Sequence, residues 1–487
     1  MLQKPHNFPP AQSIGRKTPS AAIPADAMGP PGPTCASSRF DRRRFLGGTA
    51  LAGLVAAIPL GRSGLGAAGA VGRQADPEAR SYGPGLDVRT FGARGDGKTD
   101  NTAAIQKALD RAGKNRGGIV HLPAGAYVVE RSLRLPEFVV LQGIARGPVF
   151  HTGLWVRGPR NDLPGSGSTI LATGGRGKED GPALITMATN SALAGISIYY
   201  PRQNWKTAPV PYPWTIDLAG ANCTVENTEL LNSWRGIRAV QAPRHLIRNI
   251  TGGPLRVGIY LDKIFDIGHV ENVHFNLQWR RSRPVWEFVY HHGESFVLGF
   301  AQWQYMFNTF SFGYHTGYRF IKTARGSCNG NFLGIGADGS LNAVLVEQVE
   351  PYGLQITNGE FVSFNWLRLP GELDPVQVVV APSNRGPVRF VNCAFWGPSR
   401  NIARLEGDGT VGFSDCTFCQ WEPGSAGIDA RSGSLIVSGC EFQQPGRQVD
   451  LGARVRGAVI SGNVAKGGWR ITNRTGRRAR IGLNSTS

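Results

Sequence analysis

The sequence predicts an all-β, single-stranded parallel β-helix, and two observations predict it. Like residues recur at nearly constant spacing: Cys393, Cys416 and Cys440 stand 23 and 24 residues apart, and Asn463 lies another 23 on. Each sits in a similar setting, Val-Arg-Phe-Val-Asn-Cys-Ala-Phe (388–395), Val-Gly-Phe-Ser-Asp-Cys-Thr-Phe (411–418) and Leu-Ile-Val-Ser-Gly-Cys-Glu-Phe (435–442). A period near 23 suits one turn of a three-sided solenoid, in which equivalent residues stack rung on rung. Composition agrees: 66 Gly and 32 Pro in 487 residues, with 18% charged residues, describe a turn-rich β architecture.

Taken in order, the chain opens with a Pro- and Ser-rich stretch, residues 1 to 40, expected to lack a packed structure. Asp41-Arg42-Arg43-Arg44-Phe45-Leu46 then precedes an apolar run from Gly47 to Leu60 and the small-residue site Ala68-Gly69-Ala70. This is the pattern of a twin-arginine export signal, with Asp41 in place of the usual Ser or Thr. It predicts export of the folded chain by the twin-arginine machinery, to the periplasm or beyond. No run of 18 or more apolar residues exists, so no permanent membrane span is expected. Residues 71–85 read as a linker, 86–470 as the solenoid, and 471–487 as a basic tail.

The formal charge is +19, and loss of residues 1–70, with eight basic and two acidic residues, would leave +13. Such a field favours a polyanion, and acidic polysaccharide is the partner expected here in preference to nucleic acid. Six cysteines follow the leader. A chain of this size does not depend on a disulfide framework, and twin-arginine substrates fold in a reducing cytoplasm, so free buried thiols are expected. Cys416-Thr417-Phe418-Cys419 has CxxC spacing but no second pair or histidine to complete a zinc site.

The first folded segment is Leu86-Asp87-Val88-Arg89-Thr90-Phe91-Gly92-Ala93-Arg94-Gly95-Asp96-Gly97-Lys98-Thr99-Asp100-Asn101-Thr102. A helix is predicted next, capped by Asp100 or Thr99, with Ile105, Ala108, Leu109 and Ala112 on one stripe that must lie across the end of another element. Gly117 to Val129 then gives two short strands around Pro123-Ala124-Gly125. Residues 86–145 closely resemble the opening of the pectate-lyase-3 superfamily, also called the rhamnogalacturonase and epimerase-like family. The resemblance implies a right-handed, pectin-lyase-like parallel β-helix with an N-terminal capping helix. It also implies that Asp96 and Asp100 shape turns and take no part in catalysis.

A second ladder runs through Asn227, Asn249 and Asn272, 22 and 23 residues apart, and continues loosely through Asn308, Asn331 and Asn358. Asn serves a tight corner, so both ladders are structural. Departures from the period mark loops that build a binding face. Two stand out, Pro201 to Trp214 and the 36-residue step from Asn272 to Asn308.

The region from Arg256 to Asp338 carries the densest aromatic and titratable groups. Sugar rings are held by aromatic faces with polar groups at their edges, and a uronate adds a demand for arginine. Trp279, Trp286, Trp303 and Tyr305 are candidate platforms, Arg256, Arg280, Arg281 and Arg283 candidate clamps, and His274 and His315 further contacts. Glycoside hydrolysis needs two carboxylates, and Asp262, Asp266, Glu294 and Asp338 are the catalytic candidates, with Glu287 beside them. Gly268-His269 weakly resembles an element of the polygalacturonases, but no Asn-Thr-Asp, Asp-Asp or Arg-Ile-Lys is present to complete their set. A lyase would use a base such as Lys263, Arg256 or His274. No cofactor is expected, calcium entering only for a lyase. The sequence therefore points to an exported polysaccharide-acting protein, a glycoside hydrolase before a polysaccharide lyase, with a non-catalytic polysaccharide-binding β-helix as the alternative of another class.

Overall fold

The computed structural model describes residues 85–148, 167–277, 282–371 and 373–487. The export signal, Trp279, Arg280 and Arg281 lie outside the described residues. Within them the chain forms a right-handed parallel β-helix of three sheets, A, B and C, visited in that order on every coil. One coil shows the plan. Leu246–Gly253 runs along sheet A, turns at Asn249 into sheet B, and is followed by Val257–Asp262 in sheet C. Gly268–Asn276 then pairs in parallel with the start of the coil, His269 opposite Leu246 and Val273 opposite Ile250.

The A-to-B corner is the asparagine ladder. Asn227, Asn249 and Asn272 have φ of 50°, 55° and 49°. The left-handed region is one that Asn tolerates and most residues do not. Asn249 donates from Nδ2 to Asn227 Oδ1 at 2.9 Å, and Asn272 to Asn249 at 2.7 Å. Asn308 and Asn358 continue the corner, but Asn331 does not. It lies mid-strand in sheet A, paired with Tyr305 and Gln355. Gly334, at φ 62°, holds the corner on that rung because any Cβ there would stand 3.0 Å from Asn308 Oδ1. Asn249→Ala loses both ladder bonds and puts Ala in the left-handed region, and is expected to cost about 2 kcal/mol in denaturant melts.

One step inside the corner, the cysteines stack. The six described cysteines are free and buried, as predicted. The thiol of Cys440 accepts from Cys416 N–H at 3.4 Å, and Asn463 Oδ1 takes the same place for Cys440 N–H at 2.9 Å. The inner faces of the sheets carry aromatic columns, Phe361–Phe395–Phe418–Phe442 among them.

Helix α1, Thr102–Lys114, closes the N-terminal end, and its stripe of Ile105, Ala108, Leu109 and Ala112 is buried in the same core. Asp100 Oδ1 accepts from Thr102 N–H at 2.9 Å, and Asp96 accepts from the N–H groups of Lys98 and Thr99, which hold its carboxyl down at about 2. At the other end the solenoid passes the predicted boundary at 470. Ile471–Asn473 joins sheet C, Ala479–Gly482 sheet A and Ser485–Thr486 sheet B, so the basic segment is a coil of the solenoid and no tail.

Both predicted excursions emerge at the B-to-C corner, Pro201 to Pro213 between Ser197–Tyr199 and Trp214–Leu218, and residues 277–293 between Gly268–Asn276 and Glu294–Leu298. The second, for which the period predicts a loop, carries helix α2, Arg283–His292, whose N-cap Ser282 accepts from Val285 N–H and is followed by Pro284 in the first turn. Ser282 Oγ also donates to the Trp205 carbonyl, tying the two excursions together. A third excursion, 364–375, packs Leu367, Leu369 and Trp366 against Tyr290 and Trp286 of α2.

Candidate active site

On the outer face of sheet B, side chains at equivalent positions form rows along the solenoid. One row runs His274, Phe310, Gly336, Glu360, Ala394. Gly336 offers no side chain, and the gap opens a cleft of about 410 Å³ between Phe310 and Trp396, rimmed by Asn308 and Asn358. Two carboxylates line it, Asp338 and Glu360. They sit on adjacent rungs, with Gly336 opposite Glu360 and Asp338 two residues further along the strand. The pairing slips between Ala337 and Ser340, and Gly339 takes φ 63°. Such bulges re-aim a side chain next to functional sites.

The two acids differ in setting. Burial pushes the Asp338 carboxyl up to about 6, and the charge of Glu360 adds to the effect. Glu360 has one oxygen anchored, Oε1 accepting from Trp396 Nε1 at 2.8 Å. Phe312, paired with Asp338 across the rung, packs on Trp366 of the third excursion at 5.0 Å. The cleft itself is walled by two aromatic rings, Phe310 and Trp396.

Of the residues named in the sequence analysis, Asp338 and His274 share this face, two rungs apart, and only Asp338 lines the cleft. His274 lies edge-on to Phe310 at 5.1 Å, and burial lowers its pKa. The other carboxylates do not join them. Asp262 is 6% exposed, and its Oδ1 accepts from Phe300 N–H at 2.9 Å and Thr323 Oγ1 at 2.8 Å, so it fastens two successive C-to-A turns. Asp266 is exposed and paired with Arg244 of the preceding rung at 2.5 Å. Glu287 pairs with Arg283 within α2 at 2.6 Å.

Glu294 opens a strand of sheet C and is held by two arginines, Arg256 at 3.2 Å and Arg319 at 2.6 Å, while Arg319 also reaches Glu347 at 2.6 Å. Arg256 is thus committed to Glu294 and to the His292 carbonyl at the end of α2. His315 sits below the same helix end, Nδ1 at 3.1 Å from the Tyr290 carbonyl, its pKa lowered by burial. This face of sheet C carries further matched charges, Arg238 on Asp217 through two bonds and Arg235 over the Trp214 ring at 4.9 Å. With one oxygen on Arg256 and the other on Arg319, Glu294 is committed to its neighbours, so this cluster fits a rigid support better than a catalytic pair. Tyr305 stacks on His269 in sheet A at 5.3 Å, and Trp303 stands at the C-to-A corner, both on the sheet A side of the Asn308 corner and outside the cleft lining. Among the described residues no group of three His, Cys, Asp or Glu is arranged to hold a metal ion, and no helix is long and apolar enough to cross a membrane.

Residues 86–152 match the family described as rhamnogalacturonase A/epimerase, pectate lyase-like. That match covers the opening of the solenoid, 67 of 487 residues. The chain has a right-handed parallel β-helix fold, and its first folded segment is pectate-lyase-like. Sequence relatives match only in short segments. An alginate lyase of Azotobacter vinelandii is 60% identical over 43 residues, 9% of this chain and 5% of the relative. A probable glucan endo-1,3-β-glucosidase of Arthroderma benhamiae is 35% identical over 79 residues, 16% of this chain and 9% of the relative. The N-terminal fragment of bacteriophage phi29 gene product 12 superposes with a TM-score of 0.53 at 13% identity, covering 82% of this chain and 70% of that one. The chain thus matches less than a tenth of each curated relative's length. A lyase, a glucosidase and a phage protein share these features, so the features describe a scaffold and the chemistry must be read from the site.

Proposed function

We propose that this protein is a glycoside hydrolase that cleaves a polysaccharide laid over sheet B, with Asp338 as general acid and Glu360 as the partner carboxylate. The observation that carries the reading is the unequal acid pair in one aromatic-walled cleft, one carboxyl raised to about 6 and the other anchored by Trp396. Two carboxylates in unlike environments are what the reaction needs. Asp338 gives its proton to the glycosidic oxygen as the C–O bond breaks. Glu360 takes a proton from water as the water oxygen bonds to the anomeric carbon. Phe310 and Trp396 offer faces to the sugar rings on either side, and His274 lies further along the same row. The twin-arginine motif, as the route to an extracellular polymer, belongs to this proposal.

The test is an assay of the mature protein on polyuronides and neutral glycans, reading both reducing ends and the ultraviolet absorbance of unsaturated ends. Reducing ends without absorbance are expected. Unsaturated ends, or no product from any glycan, would sink the hydrolase reading.

A further inference from the structure

The C-to-A corner carries a feature that the cleft does not use. Three large rings stand out into solvent there, Phe265 at 55%, Trp303 at 63% and Tyr352 at 75% exposed. They fall in one column along the solenoid. Ile264 bridges Ala301, which sets Phe265 opposite Gln302, the neighbour of Trp303. On the next two rungs the pairing slips twice at the same place. Ala301 to Gln304 spans Cys328 to Gly330, and Val349 to Leu354 spans it again from the other side. Asn329 is therefore opposed by Gln302 and Trp303 on one rung, and by residues 350–353, Tyr352 among them, on the other. Each slip pushes one aromatic residue out of the sheet. Trp303 does so at φ 56°, a conformation that a tryptophan rarely adopts, with its N–H donating to Asn329 Oδ1 at 3.0 Å.

The geometry points to a second, non-catalytic site: an aromatic ledge at the C-to-A corner that binds an anionic polysaccharide along the solenoid axis. Rungs of a sheet lie ~4.8 Å apart, so Trp303 and Tyr352 are roughly 10 Å apart along the axis and Phe265 extends the row by one rung. That is about the reach of a disaccharide, and it lets one glycan chain stack on successive rings. The spaces between the rings hold Gln302 and Asn329, so the ledge is a series of separate platforms. A protein partner calls for a contiguous apolar patch. The charge selects the polymer. Lys322 and Arg325 are exposed on the rung between Trp303 and Tyr352, and the Arg325 guanidinium lies 5.2 Å over the Phe265 ring. Of the nearby acids, Glu350 is turned inward onto Ser327 N–H at 3.2 Å, and Asp266, next to Phe265, is neutralised by Arg244 at 2.5 Å. A uronate chain would meet exposed rings with cations beside them.

The experiment is affinity electrophoresis of the mature protein in native gels containing polygalacturonate, alginate or a neutral β-glucan. The double variant Trp303→Asn/Tyr352→Ser suits it, because both residues are exposed and Asn accepts positive φ. Circular dichroism melts check that it folds. The expected result is retardation by a polyuronate that weakens as salt is raised, and roughly tenfold weaker retardation of the double variant. Arg325→Gln should weaken binding to the polyuronate as well. Retardation is read separately from product release, so the ledge stands or falls apart from the hydrolase reading. The inference is overturned by an unretarded wild type, by retardation on the neutral glucan alone, or by a double variant retarded like wild type. It is equally overturned if the wild type sediments as an oligomer that the double variant breaks, which would make the ledge an interface between copies.

Discussion

Asp338→Asn is expected to lower glycan cleavage by roughly 10²- to 10⁴-fold, the usual contribution of a positioned general acid. The amide keeps the shape of the side chain and removes only the proton. The pH profile adds a signature that a structural role would not give. With the Asp338 carboxyl raised to about 6, the acid form is present below that value and cleavage falls as pH climbs through it. Glu360→Gln should lower cleavage by a comparable factor, since the amide cannot take the proton from water. Stability follows pH in the same direction. A carboxyl near 3.8 in the unfolded chain and about 6 in the folded one makes the native state hold the extra proton. Its stability contribution is therefore greatest below the unfolded value, declines between the two, and is lost above about 6. Near neutral pH the buried charge costs on the order of 3 kcal/mol. Asp338→Asn should accordingly melt at higher temperature than wild type at pH 7.5 and no higher at pH 4. A variant that loses both activity and stability at pH 7.5 would show that Asp338 is there for packing.

Much of the fold could be read because a solenoid writes its structure at one short period. The cysteine and asparagine spacings gave the coil length, and the stripe on α1 gave the cap. The same period also held information that spacing alone did not bring out. Arg244 and Asp266 are 22 residues apart, one coil, and that separation is the distance between cross-rung partners. Reading charges at the coil period would have removed Asp266 from the catalytic candidates. Glu360 was missed for a related reason. Asn358-Gly359-Glu360-Phe361 is a degenerate copy of Asn392-Cys393-Ala394-Phe395, with Gly in place of Cys. Aligned to that repeat, Glu360 falls on the outward position held by Ala394, Thr417 and Glu441, one rung after Asp338. The raised Asp338 carboxyl was not legible, because it depends on burial created by Phe312, Trp366 and a bulge. Nor was the ledge. Asn331 drew attention as a ladder residue, whereas the real corner was Gly334, and the misplacement hid the register slips beside it.

Phe418→Ala is expected to destabilise the protein by about 3–5 kcal/mol, the range for a buried phenylalanine cut back to alanine. Phe418 is fully buried. Its ring lies between Phe395 at 5.4 Å and Phe442 at 4.7 Å, with Phe413 edge-on at 5.5 Å. The substitution leaves a gap in a column, and the parallel strands on either side limit how far the rungs can close on it. The consequence is directional, because in a solenoid each coil draws stability only from its two neighbours. Removing the Phe418 ring weakens the contacts on both sides of one rung, so the coils after it are held to the rest less firmly. The melt should then divide into two transitions, the first covering the coils from about Phe418 to the C-terminal rung. Limited proteolysis between the two should leave an N-terminal fragment that retains the cleft, since Asp338 and Glu360 lie coils upstream. Val391→Ala, on the exposed face of sheet A, should stay within about 0.5 kcal/mol and melt in one step. A single, merely shifted transition for Phe418→Ala would mean that the coils unfold as one cooperative block, and that the aromatic columns couple the solenoid over more than neighbouring rungs.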